Sequence, residues 1–75
     1  QRCQVHLMRN ILGHCSLRYR KEVAEQVKLI LQAPDMQEAR RRLIEFVEAF
    51  GSKVPKAVAC LEEAFEDAMA IMAIP

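Results

Sequence analysis

The sequence predicts an all-α fold of about four short antiparallel helices forming a small bundle. Three observations carry this. Helix formers dominate a 75-residue chain that has only two Gly and three Pro. Apolar residues recur three and four apart along nearly its whole length. Start and stop signals divide that pattern into four pieces.

The first helix is expected over about Gln4 to Cys15, with Val5, Met8, Ile11, Leu12 and Cys15 on one stripe; Gly13 and Ser16 weaken its end. The second runs from about Arg18 to Gln32 and presents Val23, Val27, Ile30 and Leu31. It must stop at Ala33, because a residue before proline is pushed out of the helical region.

The third helix has the clearest start. Asp35 can cap it, while Glu38, three residues on, can reach back to the cap's own amide. Its expected buried stripe is Ala39, Leu43, Phe46, Val47 and Phe50, and Gly51 is read as the left-handed residue that closes it. The fourth begins around Ser52 to Pro55, where proline costs no helical hydrogen bond. Val54, Val58, Leu61, Phe65, Met69 and Met72 form its stripe up to Pro75. Short connections imply antiparallel neighbours, so four helices return the chain to the end where it started. Same-side termini suit a domain inserted into a loop of a larger one.

Net charge is only +1 but unevenly spread. Residues 1–28 carry six basic and two acidic side chains; residues 53–75 carry two basic and four acidic ones. That is too weak a surplus for a domain that holds DNA by itself, although the first third can contribute to a DNA surface. No apolar run reaches membrane-span length. Cys3, Cys15 and Cys60 are too few for a disulfide scaffold and read as reduced thiols of a cytoplasmic protein.

Cys3 and His6 form a CxxH pair, half of a zinc site. Completing it locally needs His14 and Cys15, which are adjacent and therefore diverge by about 100° on a helix. A Cys-His nucleophile pair lacks an orienting third group, and four short packed helices should offer little concavity. The plainer expectation is a buried Cys and a His making a local hydrogen bond. Arg40, Arg41 and Arg42 fan out over about 200° and cannot form one patch. Glu38 four before Arg42, and Arg41 four before Glu45, are spaced for surface ion pairs. Glu62, Glu63, Glu66 and Asp67 read as an exposed acidic face. Pattern alone thus leaves a small helical domain without a self-contained active site. A free-standing dimerisation module and a small zinc-binding domain stay open as alternatives.

The motifs add a resemblance. QRCQVHLMRNIL is similar to the QRCxxHxxRNxL segment of bacterial Mutator-type insertion-sequence transposases. The likeness continues through RKEVAE, QAPD, Ala39, Phe50-Gly51 and PKAVACLEE to the apolar stretch ending in Pro75. The sequence departs at Gln4, where many members carry an apolar residue. The resemblance implies a parent enzyme with an RNase H-like core. There, three acidic residues hold Mg2+ or Mn2+, and two metals activate water and then a 3′-hydroxyl for attack on DNA. It implies that this chain is the noncatalytic helical insertion between the second and third catalytic acids, with none of those acids present. Transposon-end DNA is then the partner through the parent, with a homo-oligomer possible and a bacterial cytoplasmic location. Cys3 and His6 become a structural signature near the parent's active centre. Arg2, Arg9, Arg18, Arg20 and Lys21 are the residues expected to reach DNA, and Asn10 is expected to hydrogen-bond at the junction.

Overall fold

A computed structural model describes the backbone of residues 2–72 and the side-chain surroundings of residues 5–67. Four helices follow in order: α1 (Arg2–Gly13), α2 (Leu17–Leu31), α3 (Met36–Phe50) and α4 (Pro55–Met72). No strand occurs among the described residues. The all-α bundle expected from periodicity is what forms.

The helix boundaries follow local hydrogen bonding. α1 ends at Gly13, two residues before the expected Cys15. There the amides of His14 and Cys15 switch to the carbonyls of Ile11 and Leu12, three residues back, tightening the last turn. α2 starts after Ser16, whose backbone is extended but whose side chain makes no cap bond. It ends at Leu31, where the amide of Gln32 closes on the carbonyl of Lys28 at 2.9 Å. At the start of α3, Asp35 Oδ1 accepts from the amide of Glu38 at 2.8 Å. The reciprocal half of the capping box does not form. The Glu38 carboxylate turns instead to Arg41 and Arg42, because two guanidiniums outcompete one neutral amide.

Gly51 also departs from expectation. Its φ of −57° and ψ of −35° are right-handed helical, not left-handed. The chain leaves α3 through a further helical turn, with the amides of Lys53 and Val54 both closing on the carbonyl of Phe50 at 3.0 and 2.9 Å. Glycine is needed here for space: a Cβ would stand 2.6 Å from the carbonyl oxygen of Val47.

The helices pack as a closed ring, α1 on α2, α2 on α3, α3 on α4 and α4 on α1. Neighbours run antiparallel. Asn10, late in α1, meets Cys60, early in α4; Leu7, a turn earlier, lines one groove with Leu61 and Phe65 further along α4. Tyr19 at the start of α2 meets Phe50 at the end of α3. The result is a body 41 × 24 × 18 Å with two distinct ends. One carries the start of α1 and the end of α4; the other carries the α1–α2 and α3–α4 turns. The expected pairing of termini concerns Gln1 and Pro75, which lie outside the described residues.

The core is apolar throughout: Ile11, Cys15, Val23, Val27, Ile30, Ala39, Leu43, Phe46, Phe50, Val54, Ala57, Val58 and Leu61. Every described member of the expected α2, α3 and α4 stripes is buried or half-buried, Met69 and Met72 falling outside the described side chains. The α1 stripe needs correction. Val5 is 55% exposed, while Leu7, not assigned to the stripe, is half-buried. Because α1 packs on both α2 and α4, its covered arc is rotated and broadened to take in Leu7 and Met8 together.

Candidate functional site

α1 carries the residues of the opening motif. His6, Arg9 and Asn10 lie on exposed parts of the helix and, with Leu7, line a shallow open depression. Among the described residues the His6 side chain makes no hydrogen bond within the bundle. The side chains of Arg2 and Cys3 lie outside the described residues. Asn10 bridges two helices of the bundle: Nδ2 donates to Sγ of Cys60 at 3.4 Å. Two motifs fifty residues apart, RN and ACLEE, are thereby brought together.

Burial favours the neutral form of both described thiols. Cys15 is buried, donates to the carbonyl of Ile11 at 3.4 Å, and burial pushes its thiol pKa up, with Arg20 pulling weakly the other way. Half-buried Cys60 is likewise pushed up, first by burial and then by Glu63. Cys60 Sγ accepts from Asn10.

Among the described residues, no three His, Cys, Asp or Glu side chains come together as a metal set. His14 is exposed and Cys15 buried, so the two point apart. The concavity is greater than short packed helices led us to expect. An apolar groove of about 320 Å³ opens among Leu7, Leu31, Met36, Leu61 and Phe65, with only Asp35 titratable at its rim.

The basic residues expected to reach DNA fall into two groups. Arg9 lies beside Lys28 between α1 and α2. Arg18, Arg20 and Lys21 occupy the first turn of α2, at the turn end of the bundle. Within that group Arg20 is committed inward, Nη2 donating to the carbonyl of Cys15 at 3.4 Å, where it satisfies the frayed end of α1. Arg18 lies with its Cζ 5.5 Å from the centre of the Tyr19 ring, and Lys53 places Nζ 5.7 Å from the same ring. Lys53 escaped the sequence reading. Its signal was the antiparallel topology, which folds the GSKVPK turn back beside the start of α2.

The arginine run behaves as its spacing predicts. Arg42 Nε meets Glu38 Oε2 at 2.9 Å and Arg41 Nη1 meets Glu45 Oε2 at 2.7 Å. Arg41 also pairs with Glu38 at 2.6 Å. The two guanidiniums hold the Glu38 carboxyl down to about 2, the Arg41 hydrogen bond being the larger cause. Arg42 further crosses to α2, Nη1 donating to the carbonyl of Leu29 at 2.6 Å. Arg40 diverges from both and lines a groove with Glu62, Glu63 and Glu66 of α4.

The geometry defines a small helical bundle whose motif residues serve helix junctions and surface charge. Its relatives give the class a name. The family model for the transposases of the Mutator family matches residues 1–75, and the chain belongs to that family. It is 40% identical over 72 residues to the transposase for insertion sequence element IS256 in transposon Tn4001 of Staphylococcus aureus, covering 91% of this chain and 18% of that protein. The Enterococcus faecalis copy matches to the same extent. The transposase for insertion sequence element ISRM5 of Rhizobium meliloti is 24% identical over 75 residues, covering all of this chain and 19% of that protein. The chain thus spans about a fifth of the length of these relatives. No solved structure matches it.

Proposed function

We propose that this transposase region is a noncatalytic helical insertion that supports metal-dependent DNA cleavage and strand transfer performed by acidic residues elsewhere in a longer enzyme. The observation that carries this reading is the antiparallel packing of α1 on α4 through Asn10 and Cys60. It puts the entry of α1 and the exit of α4 at one end of the bundle, so a catalytic sheet can accept the bundle between two neighbouring chain positions. Cys3 and His6, at that end, are the residues that would face the catalytic core, with a structural role. Mg2+ or Mn2+ belongs to the acids of the parent, and transposon-end DNA is its partner. Among the described residues no helix is long and apolar enough to cross a membrane.

Two assays test this. The 75-residue chain alone, given Mg2+ or Mn2+ and supercoiled plasmid, is expected to produce no nicks. A full-length transposase carrying this segment with Val27→Asp, which breaks the bundle core, is expected to lose strand transfer. Nicking by the isolated chain, or unimpaired transfer by that variant, contradicts the proposal.

A further inference from the structure

We propose that the turn end of the bundle docks on the phosphate backbone of duplex DNA through Arg18, Lys21, Lys53 and Lys56. The choice of DNA as the polyanion rests on the transposase reading above; the surface itself rests on its own geometry.

Three features set these cations apart. First, they are unpaired. Among the described residues the ion pairs that form are those of Arg41 and Arg42 with Glu38 and Glu45, toward the opposite side of the bundle. Glu22 stands four residues on from Arg18, and Glu48 lies on α3 near the same end, yet neither pairs with any of the four. A cation without a carboxylate partner keeps its full attraction for phosphate.

Second, residues from two separate turns converge on one platform. Arg18 and Lys53 lie 5.5 and 5.7 Å from the centre of the Tyr19 ring, so their charges are at most about 11 Å apart. Lys53 also lies 5.7 Å from the Phe50 ring. Tyr19 stands edge-on to Phe50, at 6.4 Å and 81°, and Phe50 packs on buried Phe46 at 5.2 Å. The core therefore holds the ring, and the ring restrains the two cations, which reduces the side-chain entropy lost on binding. Lys21 follows Arg18 by three residues on α2, one helical turn along the same surface, and Lys56 stands in the first turn of α4, three residues after Lys53.

Third, the charge is polarised. α2 and α4 both begin at this end, and neither has an acidic residue in its first turn. Their backbone dipoles add to the side-chain charge. Further along α4 stand Glu62, Glu63, Glu66 and Asp67, all exposed. A polyanion is attracted to the turn end and repelled by the acidic flank, which selects an end-on approach. Tyr19 is half-buried against Phe50, and the cations held beside it suit phosphate; the contact is to backbone, without sequence preference.

The test is fluorescence anisotropy of a labelled 20-base-pair duplex of arbitrary sequence at low salt. Two charge-matched double variants are compared, R18Q/K53Q and K28Q/R41Q, with circular dichroism confirming that both stay helical. Four phosphate contacts predict that binding of the unsubstituted chain weakens roughly a hundredfold between about 50 and 200 mM salt. R18Q/K53Q is expected to weaken binding about tenfold or more and to flatten the salt slope by about one per cation removed. K28Q/R41Q should change little. Absence of binding by the unsubstituted chain, or equal weakening by both variants, overturns the proposal. Either result leaves the insertion role standing, since nicking and strand transfer test that separately.

Discussion

Asn10 and Cys60 lie fifty residues apart and meet across α1 and α4, Nδ2 to Sγ at 3.4 Å. The bond ties the helix that opens the chain to the helix that closes the bundle. It is a weak contact, since sulfur is a poor acceptor and Asn10 is exposed. We expect Asn10→Ala to lower stability by about 1 kcal/mol or less in urea unfolding, with the bundle intact. Unfolding of that variant in native buffer would show that the pair carries far more.

Gly51 gives a prediction of sign. Replacing a right-handed helical glycine with alanine ordinarily stabilises by about 0.4 to 1 kcal/mol, through the unfolded chain. Here the added Cβ meets the carbonyl oxygen of Val47 at 2.6 Å, and a backbone atom at a helix end cannot simply swing away. Gly51→Ala should therefore destabilise, by about 1 kcal/mol or more in thermal or urea unfolding. A gain in stability contradicts the close approach.

Asp35 holds the start of α3 through its bond to the amide of Glu38 at 2.8 Å. Asp35→Ala is expected to cost about 1 kcal/mol, and Asp35→Asn, which keeps the acceptor, much less. Equal losses for the two would mean that the cap contributes nothing by hydrogen bonding.

Glu38 predicts a pH dependence. Its folded pKa, about 2, lies below the ordinary carboxylate value of 4.5 because Arg41 and Arg42 donate to it. A depressed folded pKa adds stability that is complete above the unfolded value and disappears as pH falls. The advantage of the native chain over Glu38→Gln should thus shrink steadily between pH 4.5 and about 2, read by urea midpoints. A constant difference across that window contradicts the pairing. Because the three side chains are accessible to solvent, added salt should weaken the effect.

Much of this architecture was legible in the residues, for local reasons. The three- and four-residue recurrence of Val23, Val27 and Ile30, and of Ala39, Leu43, Phe46 and Phe50, determines a buried face without reference to any neighbour. Asp35 signals its helix start from within one turn. Most of the misreadings, that of Glu38 apart, depended on a second element. Gly51 could be left-handed or merely tightly packed, and only the path into α4 decides. Val5 and Leu7 exchange roles because α1 is held by two helices rather than one. Glu38 abandons the cap amide because Arg41 and Arg42 stand on its own helix, while the reach of Arg42 to the Leu29 carbonyl needs α2 in place. At the candidate surface, Arg18 and Lys21 were visible as basic residues. Lys53 joined them only once the two turns were known to share an end.

Helix order and direction around the ring is the claim on which the rest depends, and nuclear Overhauser contacts in the labelled chain measure it directly. Antiparallel α1 and α4 predict contacts from Leu7 methyls to the Phe65 ring, from Asn10 to Cys60, and from the Tyr19 ring to Lys53. Contacts from Leu7 to Val54 and Ala57, with none to Phe65, would place α4 parallel to α1 and send the two chain ends to opposite poles.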